Sequence, residues 1–284
     1  MNQETFAWPD GHRVAVVVSV LLETWSDGKA PSYFPRTTPL RQGTTDIAGV
    51  GWSRYGGNEG IWRLLRNLDD LTIPATLFCN GRSAEVWPEA VKAFAKTGRD
   101  VAGHGYLQDQ TLAYLAPDEE REAIRKTLDI LHQASGKRPT GWVTPIYGQS
   151  EHTLNFLVKE KLAWCSDALD ASMPYRQKTK SGSIVMIPWS DFVDNRALRG
   201  SPRIYYDVYK DTFDYLQTHE PGALINLGIH AHFGGRPLMA AMFRQILDYL
   251  RSQKDVWFAR HDEIAQWMND RDIDNPTYAS RFFK

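Results

Sequence analysis

Glu23 stands directly after the apolar run Val14–Leu22, His104 after a short run at 101–102, and His230 after a run at 223–229. His232 follows His230 by two positions, and Arg236 closes the same Gly-rich stretch. Carboxylates and imidazoles move protons near neutral pH, and the same groups hold cations. A lone His at a strand end is more often a structural hydrogen-bonding group. Several at equivalent strand ends make a site when the fold brings those ends together. Asp27, Asp167 and His261 also lie at or beyond apolar runs, and the sequence assigns them no role.

The apolar runs at 14–22, 75–79, 101–102, 141–144, 162–165, 184–187, 223–229 and 256–258 read as strands. Between them, 60–71, 84–97, 117–135, 152–161, 205–218, 238–252 and 262–268 read as helices. Ile61, Leu64, Leu65 and Leu68 form one apolar helix face. This alternation predicts an α/β protein of about seven βα units in one domain, 1–284, with its core over about 10–270. A parallel barrel fits, with an open doubly wound sheet as the alternative. No Gly-rich fingerprint follows the first strand, which weakens the open sheet. In a barrel the C-terminal strand ends share one face, so Glu23, His104 and His230 converge there.

The composition narrows the partners. Thirty-three Lys and Arg stand against 34 Asp and Glu, a formal charge of −1. No basic field gathers nucleic acid, and no apolar run is long enough to span a membrane. Residues 1–13 lack the basic and apolar regions of a secretory leader, so a soluble cytoplasmic protein is expected. Cys79 and Cys165 lie in apolar stretches and read as buried free thiols.

Taken in order, several motifs carry a resemblance. They are an acidic first-strand end, YGG…GIWRLL, IPATLFCNGRSAE, Gly103-His104-Gly105-Tyr106, RPTGW, MPY and IHAHFGGRP. Over about residues 10–270 the chain resembles the polysaccharide deacetylase superfamily, carbohydrate esterase family 4. Within it, the chain resembles the branch that holds allantoinase-like enzymes, cyclic imide hydrolases and an atypical peptidoglycan deacetylase. The resemblance implies a distorted (β/α)7 barrel. Typical members open with paired aspartates, where this chain has only Glu23. They bind zinc or a similar ion through His-x-x-x-His, where this chain has His104 and Gln108. Their Arg-x-Pro-aromatic motif becomes Thr144-Pro145-Ile146-Tyr147. A neutral amide is a poor zinc ligand, so no cofactor is expected. The alternative is one divalent cation on Glu23, His104 and Gln108.

The resemblance implies hydrolysis of non-peptide carbon–nitrogen bonds. Such chemistry needs an activated water, charge stabilisation at the carbonyl oxygen and a proton for the leaving nitrogen. Glu23 is read as the general base, its pKa raised by aromatic surroundings. His230 is read as general acid or partner of the developing charge, and His104 as holding water or carbonyl. Tyr55, Tyr106, Trp142, Tyr147, Trp189, His232 and Arg236 are read as substrate-binding. The 24–57 segment, with Trp25, Tyr33, Phe34, Trp52 and Tyr55, is a long loop expected to cover the site and, as in the family, to join subunits into a dimer or tetramer. These rings, with Tyr106, Trp142, Tyr147, Trp189 and Phe233, are expected around one pocket. A covered pocket favours a small amide such as an imide or ureide. A metal-dependent glycan or peptidoglycan de-N-acetylase is the second reading, and a non-catalytic binding protein the third.

Overall fold

The computed structural model describes residues 7–271 and 275–283. Residues 1–6, part of the stretch read as lacking a leader, lie outside them. Strand β1 (Val14–Leu22) is buried along its whole length. Its apolar sequence, interrupted only by Ser19, reflects cover on both faces, as parallel strands require. It pairs in parallel with β2 (Thr76–Cys79) through Ser19–Leu22 and with β8 (Ala223–His230) through Val14–Leu21. The lower half, Val14–Val17, also carries β9 (Val256–Ala259). From β2 the sheet continues through β3 (Asp100–Gly103), β4 (Gly141–Trp142) and β5 (Trp164–Ala168) to β7 (Gly182–Pro188). The parallel strands β1, β2, β3, β4, β5, β7 and β8 make the expected distorted (β/α)7 barrel. Among the described residues β7 and β8 share no ladder. One strand escaped the sequence reading. β6 (Tyr175–Thr179) folds back antiparallel on β7, and its YRQKT sequence is too polar and exposed to show an apolar signal.

Helix α2 (Ile61–Leu71) buries Ile61, Leu64, Leu65 and Leu68 as its spacing predicts. The expected helix at 84–97 is two, α3 (Gly81–Val86) and α4 (Pro88–Lys96). Pro88 offers no N–H and drives Trp87 out of helical geometry, to φ −128° and ψ 56°. α5 (Pro117–Ser135) ends at Gly136, whose φ is +78°. The 24–57 segment is not all loop. Asp46 caps α1 (Ile47–Tyr55) by accepting from the Gly49 N–H, and a π-helical turn, Gly56–Gly60, leads into α2. α1 has no clear apolar stripe; Ile47 is 79% exposed, so periodicity does not reveal it. The remaining helices are α6 (Thr153–Lys159), α7 (Arg203–His219), α8 (Pro237–Arg251), α9 (His261–Asp270) and α10 (Tyr278–Phe282). Both cysteines are buried free thiols, and no helix among the described residues is long and apolar enough to cross a membrane.

The π-turn sets α2 against the stretch that follows β8. A Cβ on Gly60 would lie 1.9 Å from the Ala231 carbonyl oxygen, so only glycine fits. Gly60→Ala is expected to cost about 3 kcal/mol, because backbone rather than a flexible side chain has to give way. Urea unfolding reads this as a lower midpoint, and an unchanged midpoint would contradict the close approach.

At the opposite end of the barrel, Asp100 is 3% exposed. Burial, with repulsion from Asp262, pushes its carboxyl up to about 6, although the Lys137 ammonium lies 3.7 Å away. The unfolded chain loses this proton near 3.8. The folded state therefore holds the extra proton between those values, and stability falls as pH rises through that window. Asp100→Asn is expected to raise the melting temperature at pH 8, by an amount equivalent to at most about 3 kcal/mol, and to flatten the pH dependence. Melting curves at pH 4 and pH 8 check this. An equal effect at both would rule out titration of Asp100 as the cause.

Candidate active site

The break between β7 and β8 builds half of the site. The edge of β8 that faces β7 finds side chains in place of a strand. The Gly228 N–H donates to Tyr209 Oη (3.2 Å), the Tyr205 hydroxyl donates to Gly228 O (3.0 Å), and Asn226 Nδ2 donates to Pro188 O (3.1 Å). Buried backbone groups need such partners. At the top of β8 the partner is Asp194, from a short 3-10 turn, Asp194–Ala197. One carboxylate oxygen accepts from the His230 N–H at 3.0 Å and the other from His230 Nδ1 at 2.5 Å. The ring is therefore locked with Nε2 facing Glu23 Oε1, 3.7 Å away.

Glu23 sits just past β1, 3% exposed, with imidazoles on three sides. His104 Nε2 is 3.3 Å from Glu23 Oε1. The opposite ring nitrogen, Nδ1, lies 2.9 Å from Val143 O. A carbonyl only accepts, so Nδ1 carries a hydrogen. His232 Nδ1 lies 3.6 Å from Glu23 Oε2, and its Nε2 lies 2.8 Å from Tyr33 Oη. Burial and the Glu23 and Asp194 charges hold the Tyr33 hydroxyl well above its ordinary value, so it stays a donor. His232 then carries its hydrogen on Nδ1, aimed at Glu23. Within the described residues Glu23 Oε2 and His232 Nδ1 have no hydrogen-bond partner.

The charges follow from this geometry. Burial alone would raise Glu23. Attraction to His230, the His104 hydrogen bond and the nearby His232 and His104 outweigh it and hold Glu23 near 2. This corrects the expected upward shift, since charged and polar imidazoles, not aromatic walls, surround the carboxylate. Burial would lower His230, but Asp194 and Glu23 raise it to about 9. Burial lowers His232 to about 3, so it is neutral and its contact with Glu23 is not an ion pair. At neutral pH the site holds an ionised Glu23 beside a charged His230.

Glu23, His104, Gln108, Tyr147, Trp189 and His230 line one cavity of about 390 Å³, together with Tyr33, Thr144, Ile146, Val193, Asn195 and Arg196. Five expected substrate contacts, Tyr55, Tyr106, Trp142, His232 and Arg236, are not part of that lining. Trp142 is fully buried, and its indole donates to Thr144 Oγ1. It packs with Leu128 and Leu157 in the barrel wall because Gly103 leaves room for its ring. Tyr106 turns outward, donating to Glu85 beneath the Lys126 ammonium. Arg236 holds the stretch after β8, donating to His232 O and Trp52 O, and it covers the Tyr55 ring, which sits behind the site. His232 is also not in the cavity wall but lies behind Glu23, enclosed by Trp25, Tyr33 and Trp52. Trp52 in turn packs on Phe34 and Phe233. The aromatic residues thus form a layer around His232 more than a pocket wall.

The residues left without a role also find places. Asp27 is exposed and outside this lining. Asp167 is buried, accepting from Thr144 N–H and Oγ1 at 2.8 and 2.6 Å, which fixes the turn after β4. His261 lies inside the barrel with Ser19, Thr76 and Asn226, below the site. Asp194, Asn195 and Arg196 were missed. They occupy a polar stretch that follows no apolar run, and its length after β7 was the one available signal. Tyr33 was seen only as part of a covering loop.

The donor set departs from the family's cation site. Glu23 and His104 occupy two of the three positions, but the third is the Gln108 carboxamide, whose oxygen accepts from Asn80 Nδ2 at 3.5 Å. The described residues contain no group of three His, Cys, Asp or Glu side chains arranged to hold a metal ion.

The polysaccharide deacetylase family model matches residues 50–162. A probable polysaccharide deacetylase from Pseudomonas aeruginosa has the same architecture, with a TM-score of 0.85, 26% identity, and 94% of this chain and 95% of that chain covered. In sequence and in fold the chain is similar to the polysaccharide deacetylase superfamily. Within the superfamily its relatives differ in activity. A peptidoglycan deacetylase of Helicobacter pylori is 25% identical over 74% of this chain and 84% of its own length. A PuuE allantoinase superposes with a TM-score of 0.86 at 25% identity over 95% of both chains.

Proposed function

We propose that this protein hydrolyses a carbon–nitrogen bond in a small cyclic imide or ureide, without a resident metal. The observation that carries the reading is an ionised, buried Glu23 held among three imidazoles at the edge of a cavity of small-molecule size. The likeness to an allantoinase over nearly the whole chain supports it.

Water held by Glu23 attacks the carbonyl carbon, and its proton passes to Glu23. Negative charge builds on the carbonyl oxygen facing the His230 Nε2–H, where an imidazolium stabilises it. A carboxylate held near 2 is a weak base at rest. The developing oxyanion offsets the field of His230, so the proton affinity of Glu23 rises during the step in which it is needed. The proton then passes to the nitrogen as the C–N bond breaks, leaving a carboxylic acid, which gives its remaining proton to solvent, and a freed amide or urea. His104, fixed by Val143, orients the water. His232 and Tyr33 hold the far side of Glu23.

A second reading is a metal-dependent glycan de-N-acetylase, supported by the name of the Helicobacter pylori relative. Purified protein offered cyclic imides, ureides, dihydropyrimidines and acetylated glucosamine oligomers decides between them. Ring opening is expected and acetate release is not. Acetate release without ring opening would establish the second reading instead.

A further inference from the structure

We infer that the substrate carries a carboxylate arm, and that Arg196 binds it. This rests on the amide-hydrolase reading and names the substrate class for the same cavity. Arg196 lines the cavity with Glu23 and His230. It sits on the 3-10 turn whose first residue, Asp194, is fully buried and clamped by two hydrogen bonds from His230. The next residue, Asn195, lines the cavity together with Tyr33. The Arg196 N–H donates to Val193 O at 2.9 Å. The backbone that carries the guanidinium is thus fixed by residues of the site itself.

The side chain has no such partner. Within the described residues the Arg196 guanidinium makes no ion pair and no hydrogen bond, whereas Arg236, outside the cavity, is engaged with the His232 and Trp52 carbonyls. Its charge reaches the hydroxyl of Tyr147, across the cavity lining, together with the charges of Asp167 and Asp191. At the reacting centre the one charged imidazole, His230, is already held between two carboxylates, Glu23 and Asp194, so it is not free to hold a substrate anion. A guanidinium at the mouth of a cavity, displaced from that centre, matches an anion that does not react. The guanidinium fork fits a carboxylate through two parallel N–H···O bonds.

Hydantoin-5-acetate and its uncharged counterpart hydantoin-5-acetamide provide the test. Native protein is expected to favour the acetate about 10- to 100-fold in kcat/KM, the range of a charge-assisted hydrogen-bonded pair. In Arg196→Gln that ratio should collapse toward one, through KM of the acetate more than through kcat. Equal use of the two compounds by native protein, or a preference that survives in Arg196→Gln, would overturn the inference while leaving amide hydrolysis intact. If neither ring opens, the hydrolase reading fails, and calorimetry still decides the role of Arg196. Tighter binding of the acetate that is lost on Arg196→Gln supports it, and equal or absent binding of both compounds overturns it.

Discussion

Glu23→Gln is expected to lower kcat by about three to four orders of magnitude with little change in KM. The substitution keeps the shape of the side chain and an oxygen for His104, but it removes the negative charge and the proton acceptor. It also removes one of the two carboxylates that hold His230 charged, so both halves of the mechanism weaken together. Glu23 contributes little surface to the cavity lining at 3% exposure, so binding contacts made by Tyr147 and Trp189 remain. Single-turnover kinetics on the best ring substrate checks this. Unchanged turnover in both Glu23→Gln and His230→Ala would mean that the protein binds its ligand without reacting with it.

Asp194→Asn is expected to cost about 10²- to 10³-fold in kcat and to move the basic limb of the pH profile. In the native protein His230 is raised to about 9 by Asp194 and Glu23. Its charged form persists until pH rises through that value. Glu23, near 2, stays ionised far below neutrality. Activity should therefore be flat across the neutral range and fall as pH passes about 9. An asparagine can still accept from the His230 N–H and donate to Nδ1, which keeps the ring in place. That arrangement forces the neutral tautomer with hydrogen on Nε2, so hydrogen-bond geometry survives while the charge is lost. The basic limb is expected to fall by about two pH units. A profile that keeps its limb near 9 would show that Asp194 only positions the ring.

Much of this site was legible because barrel strands end on one face. Glu23, His104 and His230 follow apolar runs, and the seven-strand alternation was enough to bring them together. The adjustments came from features that periodicity does not encode. Asp194 reaches His230 because β7 and β8 do not pair, and a missing ladder leaves no mark in either strand sequence. Trp142 ends a strand and Tyr106 follows one, as Tyr147 and Trp189 do, yet a glycine gap and a surface lysine decide which way each ring turns. The pKa of Glu23 was misjudged for a related reason. Its setting depends on three imidazoles from two strand ends, and the aromatic residues counted in the sequence lie one layer further out.

The central claim is that Glu23 and His230 open a small ring through the protein's own charges. The most direct measurement is turnover of the best imide or ureide by protein dialysed against a chelator, with metal content measured on the same sample. The account predicts undiminished turnover with far less than one metal ion per chain. Turnover lost on chelation and restored by stoichiometric zinc would contradict it.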